Sequence, residues 1–319
     1  MSYKNEITRV ISPNEADMRL DRLVRLILSD TPLSALHRLI RAGKIRVNGL
    51  KKKGNYRLQS GDSLSFSTLV FVAPSNSPSI SFSCDKDRKY IQSMILADLP
   101  GCVVLNKPYG MSTQGGTAVG KSLDRLLAYL DEFFAIDRSM TQGCRLVHRL
   151  DKETSGIIVV AKDRKFAEFL AHQFRASEVQ KSYVAVVWGK TPMRGQINQP
   201  LVDASGKSRE SCTAYTRLYA GTFHNYDVSV LRIVTQTGRK HQIRKHFSYL
   251  RHPLVGDRKY IMPAYSLLNR GVNLQLCAQF LRFQLPDGTH REFRVGLPEH
   301  MSKLLDTIQC DQRLIPLMD

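Results

Sequence analysis

The chain has 319 residues, of which 42% are hydrophobic, and it carries a net charge of +19 at pH 7. This length allows two domains and a sizeable core. The lack of any apolar run of roughly 20 residues excludes a membrane-spanning helix. So large a positive charge indicates a polyanionic partner, most simply nucleic acid. No basic helix has the apolar face that binding at a membrane surface requires, so we expect no membrane partner.

The cysteines and the first residues indicate the cellular compartment. The six cysteines are scattered through the chain without metal-ligand spacing. In a chain of this length they are typical of reduced, mostly buried thiols. Residues 1–10 lack the apolar core of a signal peptide. We therefore expect a cytoplasmic protein.

Residues 1–72 predict a small basic α/β domain. Residues 1–12 indicate a loose lead-in. Apolar residues then recur at helical spacing over 20–28, which predicts a first helix. Ser34 is the expected N-cap of a second helix, which would end near Gly43.

Basic residues are concentrated in the second half of this domain. Residues 44–54 predict a hairpin around Asn48-Gly49, and a strand is expected over 63–66. Residues 1–70 contain 13 Lys and Arg against 6 Asp and Glu. A clustered basic face would bind phosphates, although a solvated surface explains such a charge run equally well. The candidate residues are Arg38, Arg41, Lys44, Arg46, Lys51, Lys52 and Lys53.

Three sequence segments in this domain carry a resemblance. They are RLDRLV at 19–24, RAGKIRVNG at 41–49 and GD at 61–62. The segment resembles the small RNA-binding module first known from a ribosomal small-subunit protein and found in tyrosyl-tRNA synthetases and several RNA-modifying enzymes. This resemblance implies that the basic face binds RNA.

Residues 73–89 are rich in Ser and Pro and predict a flexible linker before a second domain over 90–319. Many strands and few helices predict an α+β domain, built on a mixed or antiparallel sheet with flanking helices and loops. The predicted strands are 94–97, 102–105, 157–160, 184–188, 211–219, 226–234, 274–283 and 292–295. Helices are predicted after Ser122, after Asp163, within 237–247 and after Pro298.

The segment 146–161, LVHRLDKETSGIIVVA, places Asp151 in a polar turn directly before a buried β-branched strand. A charged turn on a rigid strand is a common way to present a reactive side chain. Taken alone, Asp151 would more simply pair with Arg149. Four further segments favour a catalytic role.

With these segments, residues 103–295 resemble the RluA-type pseudouridine synthases, whose bacterial members isomerise uridines in ribosomal RNA. The RluC-like enzymes that act on the large ribosomal subunit are the most similar group. The motifs are VLNKPYG at 104–110, HRLDKETSG at 148–156, KSYVAVVWG at 181–189, TGRKHQIRKH at 237–246 and HPLVGDRKY at 252–260. The resemblance implies an isomerase that acts on large-subunit ribosomal RNA or its precursor. The sequence does not indicate an oligomeric state, and we expect a monomer by default. The resemblance implies no cofactor, no metal and no DNA partner.

The reaction explains why these residue types are needed. Pseudouridine forms when the bond between ribose C1′ and uracil N1 breaks and the base rejoins through C5. Asp151 would either attack C1′ or remove the 2′ proton, and the residues leave both routes open. The resemblance assigns Arg244 as the cation that keeps this carboxylate ionised. It assigns Tyr183 as the base, or the proton relay, for C5.

The remaining candidates would hold the nucleotide. The target uridine must be flipped out of its stack, which costs a few kcal/mol. By resemblance, Arg149 fills the vacated space and Ile243 contacts the uracil face. We expect His148 to shape the loop through hydrogen bonds. We expect Lys107 to support the site or to meet a phosphate.

Three other functions compete with isomerisation. A metal-dependent hydrolase could use the histidines, but His241 and His246 are five residues apart and do not share a helical face. A non-catalytic RNA-binding assembly factor would explain the charge and the N-terminal domain equally well. A glycosylase that releases the base would also need the aspartate and the flipping arginine, and only its product distinguishes it.

Overall fold

The structure is a computed structural model, and the described chain divides near residue 82 into two compact units. The described residues are 6–28, 33–67, 84–115, 122–137, 141, 143–203 and 205–315. The predicted linker over 73–83 therefore lies outside the described residues. Within the described residues, no helix is long and apolar enough to cross a membrane.

The N-terminal unit is a three-stranded antiparallel sheet, in the order β1-β3-β2, with two helices. One apolar cluster, which includes Leu20, Ile45 and Phe66, forms its core. The elements are β1 (Glu6–Val10), α1 (Leu20–Ile27), α2 (Leu33–Arg41), β2 (Ile45–Val47) and β3 (Ser63–Ser67). Both predicted helices and the strand after Gly61 are confirmed.

Two expectations for this unit were wrong. The lead-in contains a strand, β1, because its backbone pairs with the edge of β3 from Glu6↔Ser67 to Val10↔Ser63. Its apolar residues Ile7 and Val10 are 50% and 64% exposed, so they leave no burial pattern in the sequence. Ser34 lies inside α2, not before it. The helix begins at Leu33, so Ser34 is its second residue and not its N-cap.

The Asn48-Gly49 turn is confirmed, but the hairpin around it is not extended. Both residues have positive φ angles of 52° and 72°, and Val47 and Leu50 exchange backbone hydrogen bonds across the turn. The longer partner of β2 is β3. Residues 54–58 instead bond to the start of α1, where Leu20 donates to the Tyr56 carbonyl at 2.8 Å.

The second unit begins with α3 at Cys84–Gln92, so residues 84–89 of the predicted linker are helical. Acidic residues in its first turn suit the helix dipole, and Ile91 is fully buried. The other helices are α4 (Leu123–Phe133), α5 (Arg164–Ala176), α6 (Gln242–Tyr249) and α7 (Glu299–Thr307). Short 3₁₀ turns lie at Pro13–Glu15, Pro263–Tyr265 and Gln312–Leu314.

The strands of this unit confirm the predicted mixed sheet. Ten of them form one sheet, in the order β4-β5-β7-β14-β8-β13-β12-β9, with β6 beside β7 and β15 beside β14. All its pairings are antiparallel except that of β7 with β14. The strands are β4 (Ile95–Leu99), β5 (Cys102–Lys107), β6 (Arg145–Leu146), β7 (Ser155–Ala161), β8 (Gln180–Trp188), β9 (Arg194–Ile197), β10 (Leu201–Val202), β11 (Ser208–Arg209), β12 (Thr213–Phe223), β13 (Tyr226–Thr235), β14 (Leu276–Gln284) and β15 (His290–Arg294).

Alternate residues of the central strands enter different apolar clusters. One large cluster joins the sheet to α5 and α7. Two smaller clusters join it to α3 and α4 and to α6. Tyr183 packs against both smaller clusters. The crevice where these two clusters meet holds the candidate site.

Candidate active site

Asp151 lies in the turn directly before β7, and hydrogen bonds from neighbouring segments fix this turn. The Thr113 hydroxyl donates to the Leu150 carbonyl at 2.6 Å and lies 3.1 Å from the Leu150 N–H. The Gly110 N–H donates to the Lys152 carbonyl at 2.9 Å. The carboxylate itself is 17% exposed. The turn therefore presents a reachable carboxylate on a fixed backbone.

Lys107 supports this turn from inside the protein. Its side chain is fully buried, and its ammonium donates to the carbonyls of Pro108 and Met111 at 3.0 and 2.9 Å. Burial lowers the pKa of Lys107 to about 7, although the charge of Asp151 opposes this shift. Two roles were expected for Lys107, support of the site and contact with a phosphate. Its burial and its bonds to two backbone carbonyls favour the first, and both stay predictions.

Gly156 allows the central strands to come together beside this turn. It pairs with Lys107 of β5 on one side and with Ala278 of β14 on the other. Its φ angle is +111°, and a Cβ atom there would lie 2.2 Å from the Ala278 carbonyl oxygen. Only glycine fits such a backbone approach.

Arg244 is the cation nearest to Asp151 in the described structure, and it also serves two other carboxylates. Its guanidinium lies 3.8 Å from Asp151 and 3.2 Å from Glu153. Two shorter bonds of 2.7 and 2.8 Å hold it to Asp257, which is fully buried. Burial alone would lower the pKa of Arg244, but the bonds to Asp257 raise it. Asp257 thus fixes the guanidinium, and Asp151 lies beside a permanent positive charge.

His241 borders the other oxygen of Asp151. Its Nε2 lies 3.6 Å from Asp151 Oδ1, and its Nδ1 lies 2.8 Å from the Tyr260 hydroxyl. Burial lowers the pKa of His241, although the charge of Asp151 opposes this shift. In the neutral ring, a hydroxyl that donates to Nδ1 places the proton on Nε2, where it faces the carboxylate.

Tyr183, Ile243 and Arg149 line the same cavity of about 120 Å³ as Asp151 and Arg244. Burial, reinforced by the charge of Asp151, raises the pKa of Tyr183 to about 12. Ile243 is 6% exposed. Arg149 is exposed and donates to the Gln114 amide oxygen at 3.3 Å. Residues from separate segments thus converge on one small cavity.

His148 lies beside this cavity. Its Nε2 accepts a hydrogen bond of 2.9 Å from the Val159 N–H, and its ring stacks on Phe174 at 4.3 Å. Burial and the nearby Lys181 charge lower the pKa of His148 to about 3. It is therefore neutral at physiological pH. The hydrogen bond to Val159 ties the start of the Asp151 segment to β7.

Comparisons with known proteins show which family the chain resembles. The sequence pattern of the family described as RNA pseudouridylate synthase matches residues 101–249. A Haemophilus ducreyi protein named ribosomal large subunit pseudouridine synthase C is 31% identical, over 95% of each chain. The protein of the same name from Vibrio vulnificus is 30% identical, over 95% of this chain and 96% of its own. The solved structure named human RNA pseudouridylate synthase domain containing 4 matches with a TM-score of 0.61 and 25% identity, over 72% of this chain and 98% of its own.

The chain belongs to the RNA pseudouridylate synthase family. It is an isomerase that converts uridine to pseudouridine in RNA, as its RluA-type motifs predicted. The predicted family and mixed α+β fold are confirmed. The non-catalytic alternative is not favoured.

The site of this synthase also contains residues that the sequence motifs include but do not single out. Asp257 lies in the motif at 252–260 and Glu153 in the motif at 148–156, and both bond to Arg244. His241 and Tyr260 form a pair across 19 residues. The one signal in the sequence that could have indicated Asp257 and Glu153 is that the charged motifs at 148–156 and 252–260 belong to the same site. Within the described residues, no group of three or more His, Cys, Asp or Glu could hold a metal ion.

The candidate RNA-binding residues of the N-terminal unit are at its surface. Six of the seven are exposed, and Lys52 is half-buried above the ring of Tyr56. Arg41, Lys51, Lys52 and Lys53 line one open depression. No carboxylate partner within 4.0 Å is found for any of the seven among the described residues. The face is therefore positively charged and accessible.

Proposed function

We propose that this synthase isomerises uridines of bacterial large-subunit ribosomal RNA, in the cytoplasm, with Asp151 as its catalytic carboxylate. The supporting observation is the convergence of Asp151, Tyr183, Ile243, Arg244 and Arg149 on one small cavity. The choice of RNA rests on relatives named ribosomal large subunit pseudouridine synthase C, which match along nearly the whole chain.

Asp151 acts first, at the ribose. It adds to C1′ as the bond to N1 breaks and is displaced when C5 bonds to C1′, or it removes the 2′ proton and returns it to C2′ when the base rejoins. Either route needs an ionised carboxylate, and the Arg244 charge at 3.8 Å favours that form. Because Asp257 holds Arg244 through two shorter bonds, the guanidinium stays in place while the charge on Asp151 changes.

Tyr183 acts at the base. Isomerisation moves one proton, because C5 must lose its hydrogen after the C5–C1′ bond forms while N1 gains one. With its pKa raised to about 12, Tyr183 is protonated at neutral pH. Tyr183 therefore relays the C5 proton from its protonated form and is not a phenolate in the resting enzyme. The charge of Asp151 contributes to the raised pKa, so neutralisation of Asp151 makes Tyr183 a better proton donor.

Arg149 and Ile243 hold the flipped nucleotide. Arg149 is an exposed guanidinium at the rim of the cavity, and its planar group can stack between bases and fill the gap that the uridine leaves. Ile243 provides an apolar surface for the uracil face. The buried position of Ile243 in the α6 cluster keeps that surface fixed.

The test is to map new pseudouridines in ribosomal RNA. RNA from a strain that lacks this protein is incubated with the purified enzyme, and carbodiimide-based mapping locates the product. We expect new pseudouridines in the large-subunit RNA and none in small-subunit RNA or tRNA of the same preparation. Release of free uracil would identify a glycosylase. Conversion confined to another RNA would contradict the proposed substrate.

The N-terminal unit binds RNA at positions other than the reacting nucleotide. This proposal rests on its exposed basic face and on the relatives that match the chain along nearly its whole length. Phosphate binding by such a face depends on salt, because each contact releases counterions. The unit would therefore add affinity without changing the chemistry on a bound uridine.

A triple variant in which glutamine replaces Arg41, Lys51 and Lys53 is expected to bind large-subunit RNA more weakly. The salt dependence of this binding should also be smaller. Loss of three phosphate contacts lowers the slope of log K against log salt by about 2 to 3. Filter binding over a range of salt concentrations measures this slope. A matched variant replaces Lys165, Lys190 and Lys303, which are exposed on the second unit. The proposed RNA-binding role would be contradicted if the slope of log K against log salt were unchanged in the N-terminal variant. An equal change of the slope in the control variant would also contradict it.

A further inference from the structure

A second cavity adjoins the catalytic one, and we call it the flanking cavity. It encloses about 360 Å³ and shares Arg149, Tyr183 and the loop at 237–239 with the catalytic cavity. Four cations line it: Arg149, Arg175, Lys181 and Arg239. None of its described lining residues is a carboxylate. A positively charged space thus opens directly beside the position of the reacting uridine.

Lys181 is one of the four cations that line this cavity. It is half-buried, and burial lowers its pKa. Its ammonium lies 6.0 Å from the centre of the Phe174 ring. Among the described residues, it has no carboxylate or hydrogen-bond partner. A partly desolvated ammonium without a counter-charge costs free energy unless an anion joins it.

The surroundings of Lys181 place it next to the catalytic loop. A Cβ atom on Gly238 would lie 3.9 Å from its ammonium, so the ammonium borders the backbone of the loop that precedes α6. The neutral His148 ring lines the same cavity. Because its Nε2 accepts from Val159, its proton is on Nδ1. Nδ1 has no partner among the described residues and is a second available donor.

The positive surface continues away from the site. A larger cavity of about 460 Å³ shares Ser177 and Lys181 with the flanking cavity. Arg232, Arg282 and Arg294 line it, against the single carboxylate Glu292. Glu292 is already paired with Arg294 at 2.9 Å. Cationic side chains therefore also line the cavity that adjoins the flanking cavity, which suits the binding of a polynucleotide strand.

We propose that the flanking cavity binds the phosphodiester group of a nucleotide adjacent to the isomerised uridine, with the Lys181 ammonium as its anchor. The inference rests on the proposed function, because the strand is anchored where it enters the catalytic cavity. A phosphate has three features that fit: its negative charge, its acceptor oxygens for Lys181 and for His148 Nδ1–H, and its covalent link to the flipped nucleotide. The anchor fixes the ribose beside Asp151.

The test uses the full-length protein and a synthetic RNA hairpin that contains a uridine which the wild-type enzyme converts. Lys181→Met removes the charge and keeps the length of the side chain. We expect kcat/KM to fall about tenfold or more, as for loss of a charge-assisted hydrogen bond. Lys181→Arg should retain most activity, since it keeps the charge. Lys165→Met, on the exposed face of α5, is the matched control and should not differ from wild type.

A second set of hairpins separates phosphate binding from a merely structural role. Each carries one neutral methylphosphonate linkage within two nucleotides of the reacting uridine. At the contacted position, the wild-type enzyme should lose about as much activity as Lys181→Met does, and Lys181→Met should lose nothing more. Full activity of Lys181→Met on the unmodified hairpin would overturn the proposal. The proposal would also fail if Lys181→Met were less active than the wild-type enzyme on every hairpin with a neutral linkage. The wild-type enzyme still converts the unmodified hairpin in both cases, so the proposed function would stand.

Discussion

Replacing Asp151 with asparagine is expected to lower pseudouridine formation by at least about 10³-fold, while the affinity for RNA changes little. An amide can neither attack C1′ nor remove the 2′ proton. The nearest nitrogen atoms of His241 and Arg244 are 3.6 and 3.8 Å from the Asp151 carboxylate. Because these contacts are long, we expect the loop to keep its shape when the charge is removed. Release of tritium from RNA labelled at uracil C5 measures the reaction, and filter binding measures affinity.

An exposed carboxylate provides the control for this substitution. Asp227 is the second residue of β13 and is exposed, so Asp227→Asn should keep wild-type rates. Substantial activity in Asp151→Asn would show that the central assignment is wrong. Parallel losses of activity and RNA affinity would show that Asp151 binds substrate and does not act at the ribose.

The sequence predicted five residues that line the catalytic cavity, because they lie in recognisable motifs. Asp151 and Arg149 are two residues apart, and Ile243 and Arg244 are adjacent. The resemblance linked these motifs to each other and to Tyr183, and the structure brings all five residues to one cavity. Their roles remain predictions, to which the substitutions above apply.

The partners of these residues could not be predicted, because they depend on long-range contacts. Asp257 is 13 residues from Arg244, and a buried ion pair has no periodic signature in a sequence. Lys107 illustrates what charge alone leaves open. Its charge suggested a phosphate contact, whereas a fully buried ammonium can be satisfied by two backbone carbonyls.

The errors in the fold have similar physical causes. Strand β1 is held by backbone pairing with β3 while its apolar residues point to solvent, so it lacks the alternation expected of a half-buried strand. Helix α3 begins within a segment whose Ser and Pro content indicated a linker, and its burial depends on residues from Asp87 onward. The average composition of residues 73–89 does not reveal that a helix begins at Cys84.

Asp257→Asn is expected to lower the free energy of unfolding by about 3–5 kcal/mol, the usual cost of breaking a buried ion pair from one side. Asp257 is fully buried and accepts hydrogen bonds from Arg244, Lys259 N–H and Tyr260 N–H. An amide oxygen can replace only part of this set, and its NH₂ group faces a guanidinium that also donates. Urea unfolding at pH 7 measures the difference. Glu153→Gln, which removes a half-buried partner of the same guanidinium, should cost less than about 1 kcal/mol.

The difference in free energy of unfolding between wild type and Asp257→Asn should depend on pH, and this dependence identifies its cause. Burial would raise the pKa of Asp257, but the bonds from Arg244 lower it below its ordinary value of 3.8. A depressed pKa contributes stability that is fully present above the unfolded value and is lost as the pH falls through the folded one. The gap between wild type and Asp257→Asn should therefore be constant from pH 7 to about pH 5 and narrow below pH 4. A gap that stays constant below pH 4 would mean that lost packing, and not the lost charge, explains the destabilisation.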